Sequence, residues 1–352
     1  MTMTDKNASA ATIAVDDAAD TRAVRQAHPL VRWLGASGTW VLLLDIALIA
    51  LFSIISPGNV FWSLQNLESM LLAGTVTVLL ALGIALLLGV GAIDLSVGSN
   101  LVFSSVVAAL TIQALAPYGV PLAITMGAIA ALLAGALFGL LNGVIIGLFD
   151  VNSLIATLGT TGVGLAAALL LTGGSDIGGM PAELQAGFGL NTVLGFIPVP
   201  FLIAVVSCVV LTVILRRTRF GSRTLAIGSL RLAAERSGVR VRWHLLTLAV
   251  MTGVLAGISG FISLSQFGAT TVTGHSNDAL AAVTAVVIGG TRLEGGRVSL
   301  AGAVWGTALS VILQGGLVIM GVPSFWQLGA LGLVLIVAVV LDRIQAHRRP
   351  VL

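Results

Sequence analysis

The sequence predicts an all-α membrane protein of about ten transmembrane helices with glycine-rich breaks and both termini on the cytoplasmic side. Three observations predict it. The chain is 57% apolar and only 9% charged, with a mean hydropathy of +1.08, whereas soluble domains carry about 25% charged residues. No Lys or Arg occurs between Trp33 and Leu215, as a run of lipid-embedded segments requires, because a charge at the bilayer centre costs roughly 2.5–3.5 kcal/mol. Arg216, Arg217, Arg219, Arg223, Arg231, Arg236, Arg240 and Arg242 then crowd into one loop, and short loops rich in arginine stay in the cytoplasm.

Residues 1–35 form a polar tail with Asp5, Asp16, Asp17 and Asp20, ending in Arg22, Arg25 and Arg32. It lacks the basic start and apolar centre of a cleavable signal and is expected to be a disordered cytoplasmic tail. A membrane domain follows over 36–342 and a basic tail over 343–352. Apolar runs long enough for a span of about 20 residues place helices at 38–56, 69–90, 95–115, 120–148, 153–172, 199–215, 244–266, 279–290, 299–320 and 325–341. The eighth is short.

Charge tests the count. With the first tail inside, six crossings return the chain at Arg216, eight at Arg292 and Arg297, and ten at Arg343, Arg348 and Arg349. Every basic cluster then lies inside. The opposite loops carry Glu68, Asp176, Glu183 and Asp278 and no Lys or Arg. The high isoelectric point therefore reflects span-end arginines rather than nucleic-acid binding. Cys208 is the only cysteine, so no internal disulfide is possible.

Gly135, Gly139, Gly143 and Gly147 recur every fourth residue, as do Gly253 with Gly257 and Gly302 with Gly306. Such spacing puts small residues on one helix face, where backbones can approach closely, within the bundle or between copies. Two segments look alike: 89–99, with Gly89, Gly91, Asp94, Ser96 and Gly98, and 288–299, with Gly289, Gly290, Glu294, Gly295, Gly296 and Ser299. Each sets a glycine-rich turn between apolar segments at an expected cytoplasmic end. Duplicated bundles produce such pairs in transporters, and breaks at membrane depth are tolerated only when buried in protein or facing water.

The ordered motifs resemble the sugar-type permeases of bacterial ATP-binding cassette importers, the family of the ribose, xylose and arabinose permeases. Gly-Ala-Ile-Asp-Leu-Ser-Val-Gly-Ser at 91–99 resembles the family's Gly-Gly-Ile-Asp-Leu-Ser-Val-Gly-Ser. Asn142 and Gly143 followed by Ile155, Ala156, Thr157, Leu158 and Gly159 match a second motif. Gly173, Gly174, Pro198 and Pro200 bracket its outer loop. Phe220, Gly221, Ala226, Gly228, Ser237 and Gly238 match its cytoplasmic loop, and Val287 to Thr291, Gly295 to Arg297 and Ser324 to Gln327 complete the series. The likeness covers about residues 38–342.

The resemblance implies a non-catalytic membrane subunit. It would pair with a second copy or a paralogue, bear two ATPase domains on its cytoplasmic face, and receive solute from a periplasmic or lipoprotein binding protein. ATP would be used by the partner, with no cofactor in this chain. The residues agree. A phosphate-binding loop needs Gly-x-x-x-x-Gly-Lys-Ser/Thr, and the only lysine is Lys6. No His, Cys and carboxylate cluster marks a metal site, and His244 and His275 are expected at the interfaces.

Within the cytoplasmic loop 216–243, Ala233 and Ala234 favour a short helix over 230–238 that Gly238 would end. The resemblance makes this the coupling element: Leu232, Ala233, Ala234, Glu235, Arg236, Ser237 and Gly238. It departs from the family at Leu232, usually acidic, and at Glu235, usually Arg. The alternative is that the loop's charge only fixes topology. The outer loop 173–200 is long enough to imply a role and is expected to dock the binding protein through Asp176, Met180 and Glu183, with Asp278 beside them. A weakly polar path would be lined by Asp94, Ser96, Asn100, Asn142, Asn152, Thr157 and Gln314. Asp94 has a second reading, as a cap on the third helix. Asp45 lies inside the first span without an assignable partner.

Three other transport readings compete. An ion-coupled secondary transporter needs intramembrane relays, for which only Asp45 and Asp94 stand. A channel lacks a repeated filter segment. A branched-chain amino-acid permease is the nearest rival within the same class.

Overall fold

The computed structural model describes residues 39–323, together with 325–327, 329–330, 332–333 and 336. The tail 1–35, most of the span expected at 325–341 and the tail 343–352 lie outside the described residues.

The described residues begin with α1 (Thr39–Ile55). A one-turn 3-10 segment at Pro57–Trp62 leads into α2 (Leu64–Leu88), whose Ser63 cap accepts a hydrogen bond from Asn66 N at 3.3 Å. Then come α3 (Val97–Leu115), α4 (Val120–Gly143) with a π-turn at Val144–Leu148, and α5 (Ser153–Thr172). Asn152 opens α5 by accepting from Leu154 N and Ile155 N, and Gly173, left-handed at φ +63°, closes it. The loop 173–198 carries one helical turn and a two-residue antiparallel ribbon, β1 (Thr192–Val193) with β2 (Ile197–Pro198). The second half holds α6 (Val199–Arg217), α7 (Arg219–Ser229), α8 (Arg231–Arg236), α9 (Val241–Phe267), α10 (Asp278–Ile288) and α11 (Leu300–Ile319).

Seven of these are long and apolar enough to cross a membrane: α2 to α6, α9 and α11. The chain is a multi-pass membrane protein. Among the described residues, the eighth span, expected to be short, is met by a helix too short to cross. The eighth expected helix, α10, has 11 residues, about 16 Å against a hydrocarbon core of about 30 Å. It is half a span, and its other half is irregular chain. The second helix starts five residues earlier than its apolar run, because the Ser63 cap rather than hydropathy sets its end. The ribbon and α7 were not expected. The ribbon pairs only two residues of each strand, and α7 is an amphipathic surface helix too polar to read as a span.

Helix α2 is the axis. Leu79, Leu80, Leu82, Ile84, Leu86, Leu87 and Leu88 are all buried, so it is apolar around its circumference, as a fully enclosed helix must be. It is flanked by α9, α10, α11 and α6. Helices α5 and α6 stay mostly exposed at the rim, their apolar faces suited to lipid.

The four-residue glycine spacing has its cause in α4 against α9. The two run antiparallel. A Cβ at Gly139 would strike the carbonyl of Ala249, one at Gly135 that of Gly253, and one at Gly257 would lie 2.5 Å from Ala131 O. The small-residue faces predicted separately are the two sides of one seam, and hydrogen in place of methyl is what lets these backbones touch.

Loops gather at two ends. At the arginine-bearing end, Arg231 meets Asp150 and the turn at 289–296 meets Gly89. At the opposite end, Gln113 Nε2 donates to Gly178 O at 3.1 Å and Ile177 N to Thr270 Oγ1 at 2.8 Å.

Candidate functional site

Between α2 and α3 the chain is irregular over 92–95, alongside the first turns of α5. At that depth each unmet backbone group would cost several kcal/mol. Helix α5 meets them with a polar stripe at i, i+4 and i+8. Ser153 Oγ accepts from Ile93 N at 3.1 Å, Thr157 Oγ1 accepts from Leu95 N at 3.2 Å, and Thr161 Oγ1 donates to Leu95 O at 3.3 Å. Of these three only Thr157 was expected from sequence. Ser153 and Thr161 lie four residues either side of it, and that spacing was the signal available.

Asp94 is buried, and its Oδ1 accepts from Ser96 N at 2.8 Å and Ser96 Oγ at 2.5 Å. It makes an Asx turn onto Ser96, the residue that opens α3, rather than bonding an N–H within the helix's first turn. Asn142, from α4, donates to Ser96 Oγ at 2.7 Å. Asn100 donates to Gly135 O at 3.3 Å and accepts from Ser104 Oγ at 3.1 Å. Asp94, Ser96, Asn100, Asn142 and Thr157 therefore share one buried polar joint between α3, α4 and α5. One atom in it is unsatisfied: Asn142 Oδ1, buried without a partner. Asn152 and Gln314 do not join it. Asn152 spends its oxygen capping α5 at the exposed end, and Gln314 is exposed on α11.

The joint has a second wall. The chain after α9 turns back into the bundle, and α10 starts beside Gly98, whose Cβ position lies 3.0 Å from His275 O and 3.7 Å from Ala279 N. Gly98 is 17 residues, about 26 Å, along α3 from Leu115. Asp278, half-buried, therefore sits beside the start of α3. Its Oδ2 pairs with His275 Nδ1 at 2.7 Å, and His275 Nε2 meets Ser263 Oγ of α9 at 2.8 Å. The N-termini of α3 and α10 thus converge, each carrying the positive end of a helix dipole, and Asp94 and Asp278 supply the complementary charges. Both histidines are held by packed neighbours. His275 is mostly enclosed, and His244 is buried, stacked on Phe220 at 4.2 Å and bonded to Thr224 Oγ1 at 2.8 Å.

Of the other residues expected to dock a partner, Glu183 is exposed and Met180 half-buried. Asp176 is exposed but its Oδ1 accepts from Val272 N at 2.8 Å and Thr270 Oγ1 at 3.3 Å. It staples the loop 173–200 to the loop after α9.

At the arginine-bearing end, α8 is the short helix expected over 230–238. Ala234 is buried while Leu232, Ala233, Glu235, Arg236, Ser237 and Gly238 are exposed. Gly238, at φ +87°, ends the turn. Arg231 binds Asp150 at 2.9 Å and Glu235 at 3.2 Å. The Asp150 hydrogen bond pushes the guanidinium further above its ordinary range, with Glu235 adding to it. The preceding α7 ends in a glycine hub. Gly296 N donates to Gly89 O at 3.1 Å, and a Cβ on Gly228 would collide with both groups. The two look-alike turns thus meet each other, with the end of α7 pressed against their junction. Gly89 lies four residues before Ile93. A continuous packed route therefore joins α8, α7, the hub and the polar joint.

Residues 66–339 match the family described as "Branched-chain amino acid transport system / permease component". The chain belongs to this family of membrane permeases. It is 36% identical over 301 residues to the ribose import permease protein of Bacillus subtilis, covering 84% of this chain and 89% of that one. It is 30% identical over 314 residues to the D-allose transport system permease protein of Escherichia coli, covering 87% and 91%. The autoinducer 2 import system permease protein of Yersinia pestis is 33% identical over 282 residues, covering 77% and 80%. No solved structure matches the chain.

Proposed function

We propose that this chain is the membrane-spanning permease of an ATP-driven importer for a monosaccharide or a similar polar solute. The observation that carries the reading is full-length similarity to the ribose and D-allose permeases, at 36% and 30% identity. The family's description names branched-chain amino acids, but these relatives are named for sugars, and a hydrogen-bonding joint suits hydroxylated solutes better than aliphatic ones.

In this reading the arginine-bearing end faces the cytoplasm, the protein lies in a bacterial inner membrane, and ten segments, α10 with its re-entrant loop among them, return both termini inside. The chain is non-catalytic. Two ATPase subunits dock at α8, a second permease copy or a paralogue completes the pathway, and an external binding protein delivers solute to the loop 173–200. Movement of α8 reaches the polar joint through α7 and the glycine hub, which supports gating because packed elements joined this way shift as a unit rather than deform. Opening must exchange hydrogen bonds within the joint for bonds to solute or water. The lone acceptor of Asn142 is the first available partner for a solute hydroxyl. Gln314 and Asn152 have the weaker claim to the path.

The test is transport in vesicles. The permease with its ATPase and binding protein should concentrate a radiolabelled pentose or hexose with ATP, and the permease alone should concentrate nothing. Concentrative uptake by the permease alone under an ion gradient would reject the proposal. Deleting 230–238 should abolish uptake and ATPase binding while the protein still inserts. Normal transport by the deletion would remove α8 from the coupling role.

A further inference from the structure

We propose that the cleft between α7 and the start of α9 is a binding site for the headgroup of an anionic phospholipid of the arginine-bearing side. The cleft has a volume of about 460 Å³ and is walled by Phe220, Arg223, Arg240, Trp243, His244 and Thr247. Arg223 and Arg240 are both exposed, and among the described residues neither makes an ion pair. No carboxylate lines the cleft, and the nearest in sequence, Glu235, is held by Arg231. Two free guanidiniums facing one cavity match a phosphodiester, which they can grip with paired hydrogen bonds.

The back wall is rigid. His244 is fixed between the Phe220 ring and Thr224 Oγ1, so the cavity is shaped by packed groups and not by loose side chains. Depth decides between a lipid and a cytosolic protein. The cleft runs from Arg240, before the first residue of α9, to Thr247, two turns into a helix long enough to span. Trp243 and Thr247 form one exposed strip, joined by Thr247 Oγ1 donating to Trp243 O at 2.9 Å. Tryptophan at such a boundary is an interfacial anchor. A lipid places phosphate at the arginines and glycerol and chains along Trp243 and Thr247. A soluble protein reaches only the first part. Basic pockets of this kind at membrane helices bind anionic headgroups.

Trp243 supplies the readout. The full-length chain is placed in phosphatidylcholine vesicles containing brominated phosphatidylglycerol or brominated phosphatidylcholine, and the fluorescence lost in Trp243→Phe isolates its signal. Phosphatidylglycerol should quench Trp243 with about tenfold or greater preference over phosphatidylcholine, as two arginines at the surface imply. Arg223→Gln with Arg240→Gln should bring the preference close to one, and the paired Lys substitutions should retain part of it in equally well-folded protein. Arg217→Gln with Arg219→Gln, outside the cleft, should leave it intact. Equal quenching by both lipids in the native chain would overturn the site. So would an equal loss in the Arg217 and Arg219 variant, which would mean diffuse surface charge. Displacement by millimolar glycerol phosphate would mean a soluble-anion site, and loss of quenching on adding the ATPase subunit would mean a protein contact. Either would also overturn it.

Discussion

The two look-alike glycine turns share a sequence pattern and a location, yet they are held differently. Apart from the Gly296 N bond to Gly89 O, the turn at 289–299 is closed by bonds of its own. Thr291 Oγ1 accepts from Ser299 N at 3.0 Å, Arg292 N donates to Arg297 O at 3.3 Å, and Ser299 caps α11 through Gly302 N at 3.1 Å. The turn at 89–96 borrows its partners. Its second half depends on Ser153, Thr157 and Thr161 of α5 and, through Ser96, on Asn142 of α4. A turn that closes on itself keeps its shape when its neighbours move. One bonded to two other helices changes whenever they do. Of the two, only the turn at 89–96 is built to sense a rearrangement of the bundle, and it is the one that carries the polar joint.

The substitution expected to break both turns at once is Gly228→Val. Its side chain would drive into Gly89 O and Gly296 N together, backbone on both sides. The cost should reach or pass the upper end of the ~1–3 kcal/mol typical of overpacking. Apparent melting temperature in detergent should fall by several degrees and uptake should vanish. Unchanged melting would show that the hub is looser than drawn.

The comparison itself is sharpened by Thr157→Val against Thr291→Val. The first leaves Leu95 N without its partner at membrane depth, about 1–3 kcal/mol. The second removes the buried Thr291 hydroxyl but frees the N–H of the half-buried Ser299 near the exposed residues 292–294, where water can meet it, and should cost under about 1 kcal/mol. Equal losses in a denaturation series would erase the distinction.

Asp94 gives a smaller effect. Asp94→Asn keeps an oxygen for Ser96 N and should lower uptake modestly, whereas Asp94→Ala orphans that group and should cost about 1–3 kcal/mol. A severe transport loss in the Asn variant at normal stability would move Asp94 from cap to path. The smallest effect belongs to Asp150→Asn. Its bond to Arg231 is solvent-exposed on both sides, so stability should change by less than about 1 kcal/mol, and less still at high salt. ATPase docking measured by pull-down at low and high salt would show whether that bond orients α8.

Much of this was legible in the chain. The fifth helix falls on the expected residues 153–172, because Asn152 before it and Gly173 after it are strong local signals. The short helix at 231–236 was readable from Ala233, Ala234 and Gly238. The polar joint was half legible. Asp94, Ser96, Asn100, Asn142 and Thr157 were picked out as polar residues in apolar surroundings, and they do assemble. Asn152 and Gln314 passed the same filter and do not, because polarity alone does not say which face of a helix a residue occupies. Ser153, Thr161 and Ser263 escaped notice because their importance depends on which group lies opposite.

Hydropathy, charge and spacing were enough to say that this is a polytopic membrane protein, roughly where its long apolar helices lie, where the arginines cluster, and which glycines line a helix face. Those signals act over a few turns of one helix. The tertiary structure alone decided that the α4 and α9 glycine faces meet, that the two glycine turns share one hub, and that α10 is a half-span starting beside Gly98. Each depends on contacts between residues many tens of positions apart, and the identity of a distant partner is not written in any local pattern.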